Sequence, residues 1–118
     1  MNITYWRITL CYMLFMILLS HVPQDNIPSN TNFKINNIDY IFHLIEYTIF
    51  GFLLYNTFKE DLLLSISPIW SSLLFGILFA ISDELHQNFV AGRNMSFADL
   101  CFDIIGINIG LLCSLKKS

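Results

Sequence analysis

The sequence predicts an all-α polytopic membrane protein in which four transmembrane helices pack as a small bundle. Hydrophobic residues make up 55% of the 118 residues and charged residues only 13%, with a mean hydropathy of +0.60. Soluble domains carry about 25% charged residues. The hydrophobic residues also fall into four runs, each close to the length of about 20 residues that crosses a hydrocarbon core. A soluble fold of this size would leave much of that apolar surface in water.

The first predicted span covers residues 5–22. It begins with Tyr5, Trp6 and Arg7, which are residue types typical of a membrane interface, and it stops before Pro23. A basic start followed by a short apolar run also resembles a signal peptide. However, no small-x-small cleavage motif follows the run, so we expect an uncleaved helix.

The other three predicted spans cover residues 38–58, 66–87 and 97–115. Residues 24–37, between the first two spans, are rich in Asn, Pro and Ser and are expected to form an external loop. The two shorter connections are residues 59–61 and 88–96. Because the sequence shows no internal repeat, we expect residues 1–118 to form a single domain.

The formal net charge of -3 and the absence of a basic stripe or a Gly-rich phosphate loop argue against nucleic acids and nucleotides as partners. The cysteines are odd in number, lack the spacing of metal ligands and lie within apolar runs, so we expect them to act as small hydrophobic residues. They are Cys11, Cys101 and Cys113.

Basic residues near the ends of the spans predict the orientation of the chain. An even number of crossings places both termini on one side, together with four basic residues: Arg7, Lys59, Lys116 and Lys117. Lys34 and Arg93 fall on the other side. The positive-inside rule therefore favours cytoplasmic termini. In that topology the start of the second span, the end of the third and the start of the fourth all lie at the outer face.

These three segments carry clusters of polar residues. Asp39, His43 and Glu46 are spaced i, i+4 and i+7, so they share one face of the second helix. The last turn of the third helix and the loop after it contain Asp83, Glu84, His86, Gln87 and Arg93. Ionisable groups at membrane depth are costly, which suggests a functional site.

The fourth helix begins with Asp99 and Asp103, which are four residues apart, and Gly106 and Gly110 continue the same face. Glycines four residues apart allow membrane helices to approach closely. We therefore expect them to pack the fourth helix against the second or the third, with Gly51 serving the second helix in the same way.

Six of the nine acidic residues belong to these clusters. Carboxylates in a low dielectric must pair with Arg or protonated His, bind protons, or hold a cation. In a purely structural interpretation, Arg93 pairs with Asp83 or Asp99, while Asp39 and Asp99 cap helix N-termini. Against this interpretation, Glu46 and Asp103 lie well inside their predicted helices.

Three sequence blocks together carry a resemblance to a known family. They are Asp39-x-x-x-His43-x-x-Glu46-Tyr47, Ser82-Asp83-Glu84-x-His86-Gln87-x-Phe89-Val90-x-Gly92-Arg93, and Asp99-x-x-x-Asp103-x-x-Gly106-x-x-x-Gly110. In this combination they look like the VanZ-like family of small bacterial membrane proteins, over nearly the whole chain. The resemblance implies a place in the bacterial cytoplasmic membrane and a link to teicoplanin tolerance, since the family is named for a glycopeptide-resistance protein. The family often has Asp-Lys where this chain has Asp39-Tyr40, which makes this site more acidic.

One hypothesis is an enzyme that acts at the outer leaflet on a lipid or a lipid-linked envelope precursor. His43 or His86 would act as general base or acid, and three acidic residues would orient the histidine or activate water, namely Glu46, Asp83 and Glu84. Arg93 would bind an anionic head group because its fork suits phosphate and carboxylate. The remaining predicted substrate-binding residues are Asp39, Gln87, Asp99 and Asp103. A variant of this hypothesis places a divalent metal among His43, Glu46, His86 and the aspartates.

Two alternatives stay open, so the sequence does not decide whether the chain is an enzyme. The same site would bind a lipid or lipoglycopeptide without chemistry, or it would belong to a proton-coupled transport component. The predicted partners are membrane lipids and a lipid-linked or lipoglycopeptide ligand. Two further residues have expected roles outside the site. We expect His21 to mark the membrane interface and Tyr47 to be buried and hydrogen-bonded to a neighbouring helix.

Overall fold

A computed structural model describes residues 3–21, 36–60, 65–93 and 95–117, except for the side chains of residues 36–39. It contains four α-helices: α1 (Ile3–Ser20), α2 (Asn36–Lys59), α3 (Pro68–Gln87) and α4 (Phe97–Lys117). The described residues therefore confirm the all-α prediction. Residues 24–35 of the predicted external loop and residue 61 of the second predicted connection lie outside the described part.

Three of the helices, α1, α3 and α4, are long and apolar enough to cross a membrane. The second, α2, has 24 residues, but the polar residues His43 and Glu46 interrupt its apolar sequence. It contacts each of the other three helices, so its polar side chains can face protein. The third helix begins at Pro68, two residues later than predicted. Proline suits the first turn of a helix, where its missing N–H has no intrahelical partner.

Contacts between side chains give the relative directions of the helices. Tyr40 stacks on Phe102 at one end, with ring centroids 5.0 Å apart, and Asn56 donates to Ser114 Oγ over 3.1 Å nearer the other end. The residue numbers rise together, so α2 and α4 run parallel.

The first helix runs antiparallel to α2. Trp6 packs edge-on against Phe58, and Tyr12 donates a hydrogen bond to the backbone oxygen of Glu46 over 2.8 Å. The last residue of α1, Ser20, contacts α3 close to its C-terminal end. The ends of α1 and α3 and the starts of α2 and α4 therefore lie together, and we call this the polar end.

Glycines bring α2 and α4 into close contact. A Cβ atom added at Gly51 would lie 2.5 Å from the backbone oxygen of Ile107, and one added at Gly106 would lie 2.8 Å from that of Leu44. One added at Gly110 would lie 2.6 Å from the backbone nitrogen of Phe52. These obstructing atoms are backbone and cannot move aside easily. The expected packing role of the three glycines is thus confirmed, with α2 as the partner of α4.

The core lies where α2 meets its neighbours. Its fully enclosed side chains include Tyr47, Phe50, Leu54 and Ile107. The outer surface is apolar. Only 17% of the residues of α1 are buried inside the protein. The three cysteines are exposed on this surface. Outward apolar side chains on long helices suit a lipid environment.

Candidate functional site

The turn after α3 returns the chain to the polar end. Gly92 has a φ of 75°, a conformation that glycine adopts without strain, and Arg93 N donates to the oxygen of Val90 over 3.1 Å. Ser96 then lies beside α3, where its backbone N–H donates to Glu84 Oε2 over 3.1 Å. Its hydroxyl accepts a hydrogen bond from the N–H of Asp99 over 3.3 Å and so caps α4.

Asp83 forms a hydrogen-bonded group that joins three helices. Ser20 of α1 donates to its Oδ1, Tyr47 of α2 donates to its Oδ2 over 3.1 Å, and Gln87 of α3 donates to the same atom over 3.4 Å. All four side chains are buried. We call these residues the Asp83 cluster. Because each carboxylate oxygen accepts at least one hydrogen bond, the buried charge is well solvated by the protein.

A pair of histidines and a pocket lie beside the Asp83 cluster. His21 Nδ1 is 3.0 Å from His86 Nε2, and the two rings stack with centroids 5.1 Å apart. The pocket has a volume of about 220 Å³, with walls from α1 and α3: Ile17, Phe79, Ser82, Asp83 and His86. Its apolar residues lie deeper along the helices, and its polar residues lie towards the polar end.

A second group of ionisable residues joins α2, α3 and α4. His43, Glu84 and Asp99 each offer a ligand atom, and these atoms all lie within 4.8 Å of one another. His43 Nδ1 is also 2.8 Å from Asp103 Oδ1. We call these four residues the Glu84 cluster.

Two carboxylates of the Glu84 cluster are incompletely bonded. The side chains of Glu84 and Asp103 are fully buried, with 0% exposure. Nevertheless, Glu84 Oε1 and Asp103 Oδ2 lack a hydrogen-bond partner among the described residues. A buried polar atom without a partner is costly, so this arrangement calls for a further group.

Tyr47 connects the two clusters. Its hydroxyl donates to Asp83, and its ring is parallel to that of His43, with centroids 6.5 Å apart. The expectation that Tyr47 would be buried and bonded to a neighbouring helix is confirmed. His21, which we expected to mark the membrane interface, is exposed but also contacts His86. The two histidines of the predicted site thus have different partners, His43 in the Glu84 cluster and His86 beside the Asp83 cluster.

Two predicted site residues, Glu46 and Arg93, belong to neither cluster. Glu46 is half-buried and interacts electrostatically with His43, Asp83 and Arg93. The pairing of Arg93 with Asp83 in the structural interpretation is not found among the described residues, where Asp83 accepts from Ser20, Tyr47 and Gln87. Arg93 Nε is itself buried and lacks a hydrogen-bond partner there. The side chain of Asp39 lies outside the described part of the structure.

Two serines that were not among the predicted site residues bond to the two buried carboxylates of α3, namely Ser20 and Ser96. A signal for Ser96 existed, because Ser followed three residues later by an acid, just before an apolar run, is typical of a helix N-terminus. Ser20 had no such signal, since a serine at the end of an apolar run carries no information about its partner.

Comparison with known proteins places the whole bundle in one family. The family model described as VanZ/LLP1 matches residues 5–116, which includes both clusters and all but the ends of the chain. Searches of curated proteins and of solved structures returned no match.

Proposed function

Because the chain belongs to the VanZ/LLP1 family, we propose that it is a four-span protein of the bacterial cytoplasmic membrane that acts on a lipid or lipid-linked envelope precursor. In this proposal residues 1–118 form one domain, both termini are cytoplasmic and the polar end faces outward. The support for α2 as a fourth span is its length of 24 residues and its central position, which shields its polar face. The support for the orientation is the excess of basic residues at the opposite end.

The observation that carries the proposal is the pocket between α1 and α3. Ile17 and Phe79 supply an apolar wall, while Ser82, Asp83 and His86 supply polar groups at its other side. A ligand with an acyl or polyprenyl chain and a polar head group also has an apolar part and a polar part, so it would match the two sides of the pocket. Arg93, whose Nε is buried and lacks a hydrogen-bond partner among the described residues, is proposed to bind a phosphate or carboxylate of such a ligand.

The two clusters suggest different roles for the predicted catalytic residues. His43 and Glu84 are the predicted catalytic residues with capacity for a ligand, because the atoms they offer are close together and Glu84 Oε1 lacks a partner among the described residues. Asp83 is proposed as a positioning residue because its oxygens are already hydrogen-bonded. A second candidate function, binding without chemistry, is favoured by the same saturation of Asp83 and by the His21–His86 contact at the pocket.

Filling the pocket tests the proposal. Ile17→Trp should block it, whereas Leu18→Trp, one residue further along α1 and 60% exposed, is the matched control. The purified protein in nanodiscs is illuminated with a photoactivatable phospholipid or a photoactivatable polyprenyl phosphate, and crosslinked peptides are mapped. We expect crosslinks on α1 and α3 near the pocket that Ile17→Trp abolishes and Leu18→Trp retains. Equal labelling of both variants would contradict a lipid site in this pocket.

Turnover separates an enzyme from a binder. A radiolabelled lipid that is converted by the wild type and by Leu18→Trp, but not by His43→Ala, would support an enzyme. Crosslinking without conversion would support the binder. Teicoplanin susceptibility of cells expressing each variant then tests the link to antibiotic tolerance, with membrane protein levels measured in parallel.

Orientation has its own test. Ala91 lies in the exposed turn at the polar end, so Ala91→Cys in a background without the three native cysteines should react with a membrane-impermeant maleimide in intact cells. A cysteine at exposed Lys59, at the opposite end, should react only after the membrane is permeabilised. The reverse pattern would place the polar end in the cytoplasm.

A further inference from the structure

We infer that the Glu84 cluster binds a divalent transition-metal ion, with His43, Glu84 and Asp99 as ligands and Asp103 as the residue that orients His43. The inference concerns the polar end but does not require a lipid substrate. Metal binding and lipid crosslinking are measured separately, so either proposal can fail while the other stands.

The geometry supports three ligands from three different helices. One nitrogen of His43 and one oxygen each from Glu84 and Asp99 lie within 4.8 Å of one another, a spacing that a single ion can bridge. Helices α2, α3 and α4 hold these residues, so the cluster is part of the packed bundle. One imidazole and two carboxylates suit zinc and manganese, and three protein ligands leave coordination positions for water or a phosphate oxygen.

The unpartnered carboxylate oxygen is independent evidence for a ligand. Glu84 is fully buried, its Oε2 accepts a hydrogen bond from Ser96, and its Oε1 lacks a partner among the described residues. Asp83, one residue earlier, shows that this protein can saturate a buried carboxylate with donors from its own helices. A cation bound by Glu84 would neutralise the buried charge and give the carboxylate a second partner besides Ser96.

The contact between His43 and Asp103 matches the environment of a metal-bound histidine. His43 Nδ1 lies 2.8 Å from the buried Asp103 Oδ1, so the neutral tautomer with its proton on Nδ1 donates a hydrogen bond to the carboxylate. This tautomer leaves the lone pair of Nε2 available to a metal ion. Metal-binding histidines almost always donate their other N–H in this way, often to a carboxylate, which fixes the ring and raises its basicity.

Calorimetry on tag-free protein in nanodiscs, after removal of metal with EDTA, tests the inference with Zn²⁺ and Mn²⁺ as probes. We expect one ion per chain. Glu84→Gln and Asp99→Asn should each weaken binding by at least tenfold, and Asp103→Asn should weaken it by about 10- to 100-fold, the usual effect of losing a partner of a metal-bound histidine. Glu60→Gln is the matched control, because Glu60 also has a buried oxygen without a partner in the described part of the chain but directly follows the opposite end of α2. It should bind metal normally.

Pulsed electron paramagnetic resonance of bound Mn²⁺ identifies the histidine even if a carboxylate variant fails to fold. A coupling to imidazole nitrogen should be present in the wild type and in His86→Ala and absent in His43→Ala. The inference is overturned if the wild type binds neither ion, if Glu84→Gln binds as tightly as Glu60→Gln, or if the nitrogen coupling survives in His43→Ala.

Discussion

Asp83 and Glu84 are adjacent acids at the end of the same helix, and both are buried, yet their surroundings differ. The Asp83 carboxylate accepts hydrogen bonds from Ser20, Tyr47 and Gln87. The Glu84 carboxylate accepts one from the backbone of Ser96, and its second oxygen lacks a partner among the described residues. Successive residues of an α-helix point about 100° apart, so the two acids face different neighbours.

This difference indicates that Asp83 has a structural role, whereas Glu84 is suited to binding a ligand. Asp83 connects α3 to α1 and α2 through donors that the protein supplies. Glu84 faces α2 and α4, where the nearby groups are His43 and Asp99. We therefore expect substitutions in the Asp83 cluster to affect mainly stability and substitutions in the Glu84 cluster to affect mainly ligand binding.

Asp83→Ala should have the largest effect on stability. The substitution removes the acceptor of three buried donors, and each stranded donor costs about 1 kcal/mol or more, so we expect the free energy of unfolding to fall by about 3 kcal/mol. Steric trapping in bicelles measures this quantity. Zn²⁺ binding per folded molecule should persist, and a variant as stable as the wild type would show that the Asp83 hydrogen bonds do not hold the helices together.

Gly106→Ala should have the next largest effect, at about 2 kcal/mol, because the added methyl group must displace backbone atoms of α2. The displacement separates α2 from α4, so Zn²⁺ affinity measured by calorimetry should fall together with stability. Gly76→Ala is the control. Its Cβ would meet the end of the Ile107 side chain at 3.0 Å, and that side chain can adjust. An equal loss in both variants would argue against a special role for the α2–α4 contact.

Glu84→Gln should raise the stability of the metal-free protein by about 1 kcal/mol, because it removes a buried charge that has only one hydrogen bond among the described residues. The response to metal should be the opposite. A ligand at 100 times its dissociation constant stabilises a folded protein by about 2.7 kcal/mol, so saturating Zn²⁺ should protect the wild type and not the variant. Unfolding curves with and without Zn²⁺ test both statements. Destabilisation of the metal-free variant would mean that the Glu84 charge is already balanced.

His21→Ala should have the smallest effect, a change in unfolding free energy within about 0.5 kcal/mol, because the contact between His21 and His86 is exposed. Ser20→Ala, one residue earlier, is the matched comparison, since it removes a buried donor to Asp83 and should cost more. The same unfolding assay compares the two. If His21→Ala proves the more destabilising, the histidine pair rather than Asp83 fastens α1 to α3.

Much of the fold could be predicted from the sequence because the relevant signals are local. Runs of about 20 apolar residues report helix length, although the third helix was predicted to begin two residues before Pro68, where the structure starts it. Gly106 and Gly110 predicted a close contact from their spacing alone. Their partner was left open between the second and third helices, because spacing along one helix does not identify the helix that it meets.

The candidate site was predictable as a set of residues but not as an arrangement. Helical spacing placed His43 and Glu46 on neighbouring turns of one face, but only the packed bundle shows His43 against Asp103, 60 residues later in the chain. The sequence grouped His43 and His86 in one site, whereas the structure gives them different partners. Their positions on separate helices carry no information about rotation around the helix axes.

The sequence by itself determined the class of protein, its four helices and its family, because composition, apolar run length and local motifs are properties of neighbouring residues. Only the tertiary structure decided that the Asp83 oxygens are both hydrogen-bonded and that one Glu84 oxygen has no partner among the described residues. That distinction depends on donors from α1, α2 and the start of α4, which the folded bundle brings to α3. The physical reason is that the hydrogen bonds of a buried acid depend on donors from distant parts of the chain. The sequence shows only that the two acids are adjacent.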